Sequence, residues 1–284
     1  MRQVDIVGFL LVYNPAYLDE AVFQFRKILS SVKGSYQIIV ISNNIDIQKC
    51  NDFDGVFLHG DNNSMEFSGW QKGLDYIKNH YSIGSIKAYV FANDTFCHHK
   101  PLTVFQRSNY IDGVESCIRS TKSSMYGPLS SFGKTFSINN KRIDSWISTY
   151  FFIINQKAME EILKYTICMP SSNLKNYFGD MANEDNFFSD NMDMVLKGHL
   201  KNWLFCGGKG LSWYKCASLS ELNKEQMYLK ACSILREKLL TVTLLQGGGD
   251  ILEIQRSVPD KCLFKLISLK NQLANKLRWY PFFR

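Results

Sequence analysis

The segment Tyr89-Val90-Phe91-Ala92-Asn93-Asp94-Thr95 places an acid directly after a short run of apolar residues. Such a run, closed by polar residues, is typical of a strand buried on both faces of a parallel sheet. A lone carboxylate at its end is costly to bury unless a cation or hydrogen bonds compensate it. The segment therefore predicts a central strand with a polar site at its carboxyl end, and this site depends on Asp94.

Predicted strands and helices alternate on both sides of this segment. The upstream elements are strands at residues 4–13, 37–42 and 55–58, with helices at residues 18–32 and 66–80. Downstream, residues 102–120 and 156–165 have helical periodicity, and a further helical pattern opens at Asn183-Glu184-Asp185 and stops at Gly198. This order predicts an α/β fold with a Rossmann-like, mostly parallel central sheet flanked by helices.

Polar residues follow four of the predicted strands. They are Asn14, Asn43-Asn44, the turn Asp61-Asn62-Asn63-Ser64, and Asn93-Asp94-Thr95. Asn and Asp make good turns, which is a sufficient explanation for any one of them. Ligands of open α/β sheets bind outside the carboxyl ends of the strands, so four polar ends together favour one shared site.

Composition sets the limits on class and partners. The chain has 284 residues with 45% hydrophobic and 21% charged residues, which excludes a disordered or collagen-like chain. Its formal charge of +7 suggests a polyanionic partner: phosphate, nucleic acid or an anionic membrane. Eight cysteines without any C-x-x-C spacing predict reduced, structural thiols, and the absence of a signal sequence predicts a cytoplasmic protein.

The C-terminal third changes in character. Residues 1–215 are predicted to form the catalytic domain, residues 216–260 a helical extension, and residues 261–284 a basic amphipathic tail. The tail has six basic residues and no acid among apolar and aromatic side chains, a composition typical of helices that lie in a membrane interface. It predicts a peripheral location on the inner face of the membrane, with a helix packed on the domain as the alternative.

The sequence resembles the nucleotide-sugar glycosyltransferases of the GT-A fold, particularly bacterial family-2-like enzymes of surface polysaccharide (O-antigen or capsule) biosynthesis. The resemblance covers about residues 4 to 215. Its motifs are Val12-Tyr13-Asn14-Pro15, Asn62-Asn63-Ser64 before Glu66-Phe67-Ser68-Gly69-Trp70, Phe91-Ala92-Asn93-Asp94-Thr95, and Asn183-Glu184-Asp185. It implies a GT-A fold, a nucleotide-diphosphate sugar as donor and a lipid-linked bacterial surface glycan as acceptor.

The resemblance also implies roles for individual residues. Asn14, Asn43, Asn62, Asn93 and Asp94 would bind the donor, and Asp94 matches the metal-binding end of the family's D-x-D signature. Asp185 would be the base that deprotonates the acceptor hydroxyl in an inverting displacement, and Glu184 would orient either the acceptor or the base. Trp146, in an aromatic run with hydroxyl neighbours, is the candidate acceptor contact, although such runs are more often core.

Two questions stay open at the level of sequence. Asn93-Asp94-Thr95 has one acid where D-x-D has two. Either Asp94 holds Mg²⁺ or Mn²⁺ with help from Asn93, or basic side chains neutralise the diphosphate. Two other functions compete with sugar transfer: a nucleotidyltransferase or other nucleotide-dependent α/β enzyme, and a non-catalytic module that binds membranes or nucleic acid. The concentration of positive charge in an apolar tail favours lipid over nucleic acid.

Overall fold

A computed structural model describes residues 1–47, 53, 55–98, 102–162, 166–205, 213 and 215–254. Its main strands are β1 (Ile6–Val12), β2 (Tyr36–Ser42), β3 (Val56–His59), β5 (Ala88–Asn93), β6 (Ser124–Gly127), β11 (Phe151–Asn155) and β12 (Asp250–Glu253). Shorter strands are β4 (Asn63–Met65), β7 (Leu129–Ser130), β8 (Phe136–Ile138), β9 (Lys141–Ile143) and β10 (Trp146–Ile147). The α-helices are α1 (Leu18–Leu29), α2 (Glu66–His80), α3 (Val104–Arg119), α4 (Gln156–Ile162), α5 (Met194–Leu204) and α6 (Lys224–Gln246).

The main strands form one sheet in the order β12-β6-β11-β5-β1-β2-β3. Strand β1 pairs in parallel with β2 and β5, β2 with β3, and β6 with β12. Strand β11 is antiparallel to both of its neighbours, β5 and β6. The predicted α/β fold with a mostly parallel, Rossmann-like sheet flanked by helices is therefore confirmed.

Strand β1 shows why the sheet is buried on both faces. All seven of its residues are buried, as the continuous apolar run predicts for a central parallel strand. Gly8 lets α1 approach closely, because a Cβ built there would lie 2.5 Å from Leu29 Cδ1 and 2.7 Å from Phe25 Cε1. A side chain at position 8 would therefore push α1 away from the sheet.

Helices cover the two faces of the sheet. Helices α1 and α3 pack on one face, and α2, α4 and the C-terminal half of α6 pack on the other. On the second face, Trp70 makes edge-to-face contacts with Phe67, Phe91 and Phe152, at centroid distances of 5.2 to 5.6 Å. Each such pair contributes about 0.5–1.5 kcal/mol beyond the area that it buries, so α2 is held firmly against the sheet.

A third apolar cluster lies beyond the sheet. It consists of the β8–β9 hairpin, α5, the segment around Phe187-Phe188, and one side of α6. The predicted extension at residues 216–260 is described up to residue 254. It contains α6, which packs in this cluster and on the second face of the sheet, and β12, which joins the main sheet. The tail at 261–284 lies outside the described residues. Within the described ranges, no helix is both long and apolar enough to span a bilayer.

The predicted helix that opens at Asn183-Glu184-Asp185 is wrong. These residues form a series of bends, in which Asn183 Oδ1 accepts a hydrogen bond from Asn186 N. Helix α5 begins at Met194, where the Asp193 side chain caps it by accepting hydrogen bonds from Val195 N and Leu196 N. An aspartate that accepts two backbone donors is a stronger start signal than the acidic pair, and Gly198 lies inside α5.

The expectation of reduced thiols holds for four of the described cysteines, Cys97, Cys117, Cys168 and Cys232. Cys216 is the exception, because it is disulfide-bonded. Burial raises the pKa of Cys97 to about 12, so this thiol stays protonated and unreactive at neutral pH.

Candidate functional site

The strand order creates a switch point between β1 and β5. The chain leaves β1, builds β2 and β3 on one side, and returns to place β5 on the other side of β1. In open α/β sheets, the carboxyl ends at such a reversal are where ligands bind. Residues 13–14 directly follow β1, while Asn93 is the last residue of β5 and Asp94 follows it. These predicted residues therefore lie side by side at the site that the topology favours.

Asp94 joins the two strand ends. Its Oδ2 accepts hydrogen bonds from Tyr13 N and Asn14 N, both at 2.8 Å, and the residue is 4% exposed. Asn93 supports it by capping the short 3-10 helix Asp94–Phe96, with Oδ1 accepting from Thr95 N at 3.1 Å. The buried acid that the sequence singles out is thus compensated by backbone donors, and it fixes the geometry of the switch point.

Tyr13 and Asn14 form the exposed lip of the switch point. Asn14 Oδ1 accepts from Ala16 N at 3.0 Å, so the chain turns sharply away from β1. Tyr13 is 44% exposed, and Lys215 Nζ lies 5.8 Å from the centroid of its ring. Asn44 Nδ2 donates to Tyr13 O at 3.0 Å and holds this lip to the end of β2. An exposed aromatic residue is a platform for a base, and no sequence pattern ranks Tyr13 above its neighbours.

Asn43 and Asn62 meet next to the switch point. Asn43 Nδ2 donates to Met65 O at 2.9 Å and to Asn62 Oδ1 at 3.3 Å. Asn62 has a φ of 57°, which asparagine tolerates better than most residues. Asn43 Oδ1 is buried and has no hydrogen-bond partner within the part of the chain that the structure describes. Gly60 makes room for it, since a Cβ there would overlap this oxygen.

Helix α6 lines the same edge, which the sequence analysis did not predict. Ser233 Oγ donates to Glu66 Oε2 at 3.1 Å, and Lys230 Nζ lies 3.8 Å from Glu66 Oε1. One turn further on, Glu237 Oε2 accepts from both Thr149 N, at 2.9 Å, and Thr149 Oγ1, at 2.7 Å. The sequence does not show that these polar residues face inward, because buried apolar and polar residues alternate along α6 and do not mark a single inward face.

Trp146 is a core residue. It is 6% exposed, and its Nε1 donates to Glu237 Oε1 at 2.7 Å. Lys238 Nζ lies 3.9 Å from the centroid of its ring, and Phe132 and Phe136 also contact the ring. The aromatic face that was predicted to meet an acceptor is therefore covered by protein.

Glu184 and Asp185 lie beside the third cluster and do not contact the residues of the switch point in any hydrogen bond or ion pair described. Glu184 Oε1 accepts from Leu219 N at 3.0 Å, and Asp185 Oδ1 bonds Lys201 Nζ at 2.7 Å. The hydrogen bond and charge of Lys201 lower the pKa of Asp185, whose side chain is exposed. A carboxylate with a lowered pKa is a weaker base, so its surroundings do not favour the role that the sequence predicts.

The described residues do not supply a metal centre of their own. No group of three His, Cys, Asp or Glu side chains among them could hold an ion. Among the described residues, Asp94 is the acid that contacts the ends of both strands, and its Oδ2 accepts hydrogen bonds from two backbone donors. The metal-binding role of Asp94 stays a prediction.

Comparisons with known proteins give low similarity throughout. No family model and no curated protein sequence matches the chain. One similar solved structure is the bifunctional IspDF from Campylobacter jejuni, with 13% identity and a TM-score of 0.38, over 60% of this chain and 46% of that one. Another is CMP:2-keto-3-deoxy-manno-octonic acid synthetase complexed with CTP, with 10% identity and a TM-score of 0.42, over 94% of this chain and 99% of that one. The chain spans less than half the length of the IspDF chain.

The prediction of a glycosyltransferase for surface polysaccharide, O-antigen or lipopolysaccharide is contradicted by this result. The two solved structures named above are nucleotidyltransferases and not glycosyltransferases. The motifs quoted for the resemblance reflect strand ends and turns of an α/β sheet, which proteins with different activities share. The assignment of Asp185 as a sugar-transfer base is therefore withdrawn together with that activity.

Proposed function

We propose that the switch point between β1 and β5 binds a nucleotide and that the protein is a nucleotidyltransferase. The observation that carries this proposal is the clamp in which Asp94 Oδ2 accepts from Tyr13 N and Asn14 N. The clamp shapes the one edge of the sheet where the topology favours a ligand, and it leaves the ring of Tyr13 accessible. The formal charge of +7 suits a polyphosphate ligand.

The parts of the site suggest how a nucleotide would lie. The base would stack on Tyr13, while Asn14 and Asn44 offer amide groups to the nucleoside. The phosphates would extend towards the start of α2, where Lys230 forms an ion pair with Glu66. In nucleotidyl transfer, an acceptor oxygen forms a bond to the α-phosphorus, the bond to the bridging β-phosphate oxygen breaks, and pyrophosphate leaves.

Nucleotide binding can be tested by thermal unfolding with ATP, GTP, CTP and UTP. A ligand at about one hundred times its Kd stabilises the fold by about 2.7 kcal/mol, so at least one triphosphate should raise the Tm clearly. Tyr13→Ala should weaken that nucleotide by about tenfold or more, because stacking on one base is worth about 1–3 kcal/mol. The matched control is Tyr36→Ala, an exposed tyrosine at the opposite end of β2.

Two results would contradict the proposal. One is the absence of a Tm shift with all four triphosphates at millimolar concentration. The other is an equal loss of affinity in the Tyr13→Ala and Tyr36→Ala variants. The reaction class is tested separately with phosphorylated and carboxylated acceptors. Nucleotidyl transfer releases pyrophosphate, transfer of the γ-phosphoryl group to the acceptor leaves a nucleoside diphosphate, and hydrolysis of the γ-phosphate releases inorganic phosphate.

A further inference from the structure

The N-cap side chain of α2 makes no capping hydrogen bond. The N-cap residue is Met65, with φ 53° and ψ −134°. The hydroxyl of Ser68 instead donates to Met65 O, and Ser64 N donates to Ser68 Oγ. The first backbone N–H groups of a helix, together with its macrodipole, favour a negative charge at this position.

Helix α6 presents a cation and a hydroxyl to the same point. Lys230 Nζ is 3.8 Å from Glu66 Oε1, and Ser233 Oγ donates to Glu66 Oε2. The side chains of Lys230 and Glu66 are 20% and 15% exposed, so the pair is partly open to solvent. Glu66, the first residue of α2, therefore places its own carboxylate between the helix start and the cations of α6.

Arg236 adds a second cation whose donors are incompletely used. The residue is 1% exposed, and its Nη2 donates to Met169 O at 2.8 Å and to Ser171 Oγ at 3.0 Å. Its Nε and Nη1 have no hydrogen-bond partner among the described residues. The guanidinium lies against the first turn of α2, with Cζ 5.5 Å from the centroid of the Phe67 ring.

Unused donors on a buried guanidinium need an explanation. Burial lowers the pKa of Arg236, and the nearby Glu66 is among the groups that oppose this shift. Leaving charged donors unpaired in the interior costs more than leaving neutral ones unpaired, and native proteins usually satisfy them with protein, water or a ligand. The unpartnered donors of Arg236 therefore point to an acceptor beyond the described residues.

We propose that the start of α2, together with Lys230, Ser233 and Arg236, binds a phosphate group of a substrate, and that the Glu66 carboxylate occupies this place in the free protein. A phosphate offers three acceptor oxygens, which suits two cations, a hydroxyl and helix N–H groups together. The identity of the substrate that supplies the phosphate rests on the proposed function, whereas the binding of phosphate at this place does not.

The test is calorimetric titration with inorganic phosphate and with pyrophosphate, at an ionic strength held constant with sodium chloride. Lys230→Gln should weaken binding by about tenfold, because it removes one charge-assisted contact. Glu66→Gln should tighten binding by about tenfold, because it removes the competing carboxylate while keeping the shape of the side chain. Lys201→Gln is the matched control, since Lys201 is similarly exposed and pairs with Asp185.

Two results would overturn the proposal: no measurable binding of either anion, or equal effects of Lys230→Gln and Lys201→Gln. Neither result depends on Glu66→Gln, so the test holds even if that variant fails to fold. Competition identifies the source of the phosphate. If a saturating triphosphate prevents pyrophosphate binding, the site holds the nucleotide's own phosphates; if both bind together, it holds the phosphate of the acceptor. Tyr13→Ala should leave the binding of phosphate unchanged, so a failure of nucleotide binding is distinguishable from a failure of this site.

Discussion

Replacing Asp94 with alanine is expected to lower the free energy of unfolding by about 3–5 kcal/mol and to abolish nucleotide binding. The substitution leaves Tyr13 N and Asn14 N without their acceptor at a part-buried position. Each unsatisfied backbone donor costs about 1–3 kcal/mol, and the lost bonds are of the stronger, charge-assisted kind. The ends of β1 and β5 would also lose the link that fixes their spacing. Urea denaturation gives the stability, and thermal shift gives the binding.

Asp94→Asn separates the shape of the clamp from its charge. Both bonds go to one oxygen, Oδ2, and a single amide oxygen has two lone pairs with which to accept them. We expect the asparagine variant to lose only about 1–2 kcal/mol, because its hydrogen bonds are neutral and weaker. Asp75→Ala is the control, an exposed acid on α2 whose loss should be nearly neutral. The clamp would be refuted if Asp94→Ala cost no more than Asp75→Ala.

Replacing Lys238 with methionine is expected to stabilise the protein at pH 7 by about 1–3 kcal/mol. Lys238 is 1% exposed, and burial lowers its pKa from 10.5 to about 8, with Glu237 opposing and Lys230 reinforcing that shift. Its Nζ lies over Trp146 and 3.9 Å from Glu237 Oε1, and these contacts only partly compensate the charge. His199 also faces it and stays neutral at pH 7, because burial and then Lys238 lower its pKa to about 4.

The lowered pKa of Lys238 determines how the free energy of unfolding changes with pH. Between pH 8 and 10.5 the unfolded chain binds more protons at Lys238 than the folded chain, so the free energy of unfolding rises with pH. The cost of burying the charge is therefore fully present below pH 8 and disappears as pH rises through 10.5. The advantage of Lys238→Met should shrink across this window, as chemical denaturation at pH 7, 9 and 10.5 would measure. Lys224→Met changes a partly exposed lysine at the start of α6 and should show no such trend. A constant advantage of Lys238→Met would contradict the assignment.

The sequence predicts the parts of the fold that local patterns determine. Helix α2 was predicted at its observed limits, because Phe67, Trp70, Leu74 and Ile77 repeat at helical spacing. The carboxyl end of β5 was recognised because an acid after an apolar run is unusual, and Asp94 lies at the switch point accordingly. These features depend on a few consecutive residues, so they are visible without knowledge of the fold.

The missing parts depend on contacts between distant residues. Ser233 and Glu66 are separated by 167 positions, and no local pattern indicates that they meet. Trp146 looks like a ligand contact from its neighbours, but Glu237 and Lys238 of α6 cover it. Asp185 has the charge expected of a helix start, but Asp193 takes that role. In each case, a competing partner far along the chain, or a stronger local capping residue, decides the outcome.

Helix α6 contributes Leu240 and Leu244 to the core on the sheet and Leu235, Leu239 and Val242 to the cluster beyond it. Because one continuous helix belongs to both regions, we expect them to unfold together. Scanning calorimetry should accordingly record a single endotherm, with equal calorimetric and van't Hoff enthalpies. Two separate endotherms would mean that α6 breaks near its middle on heating.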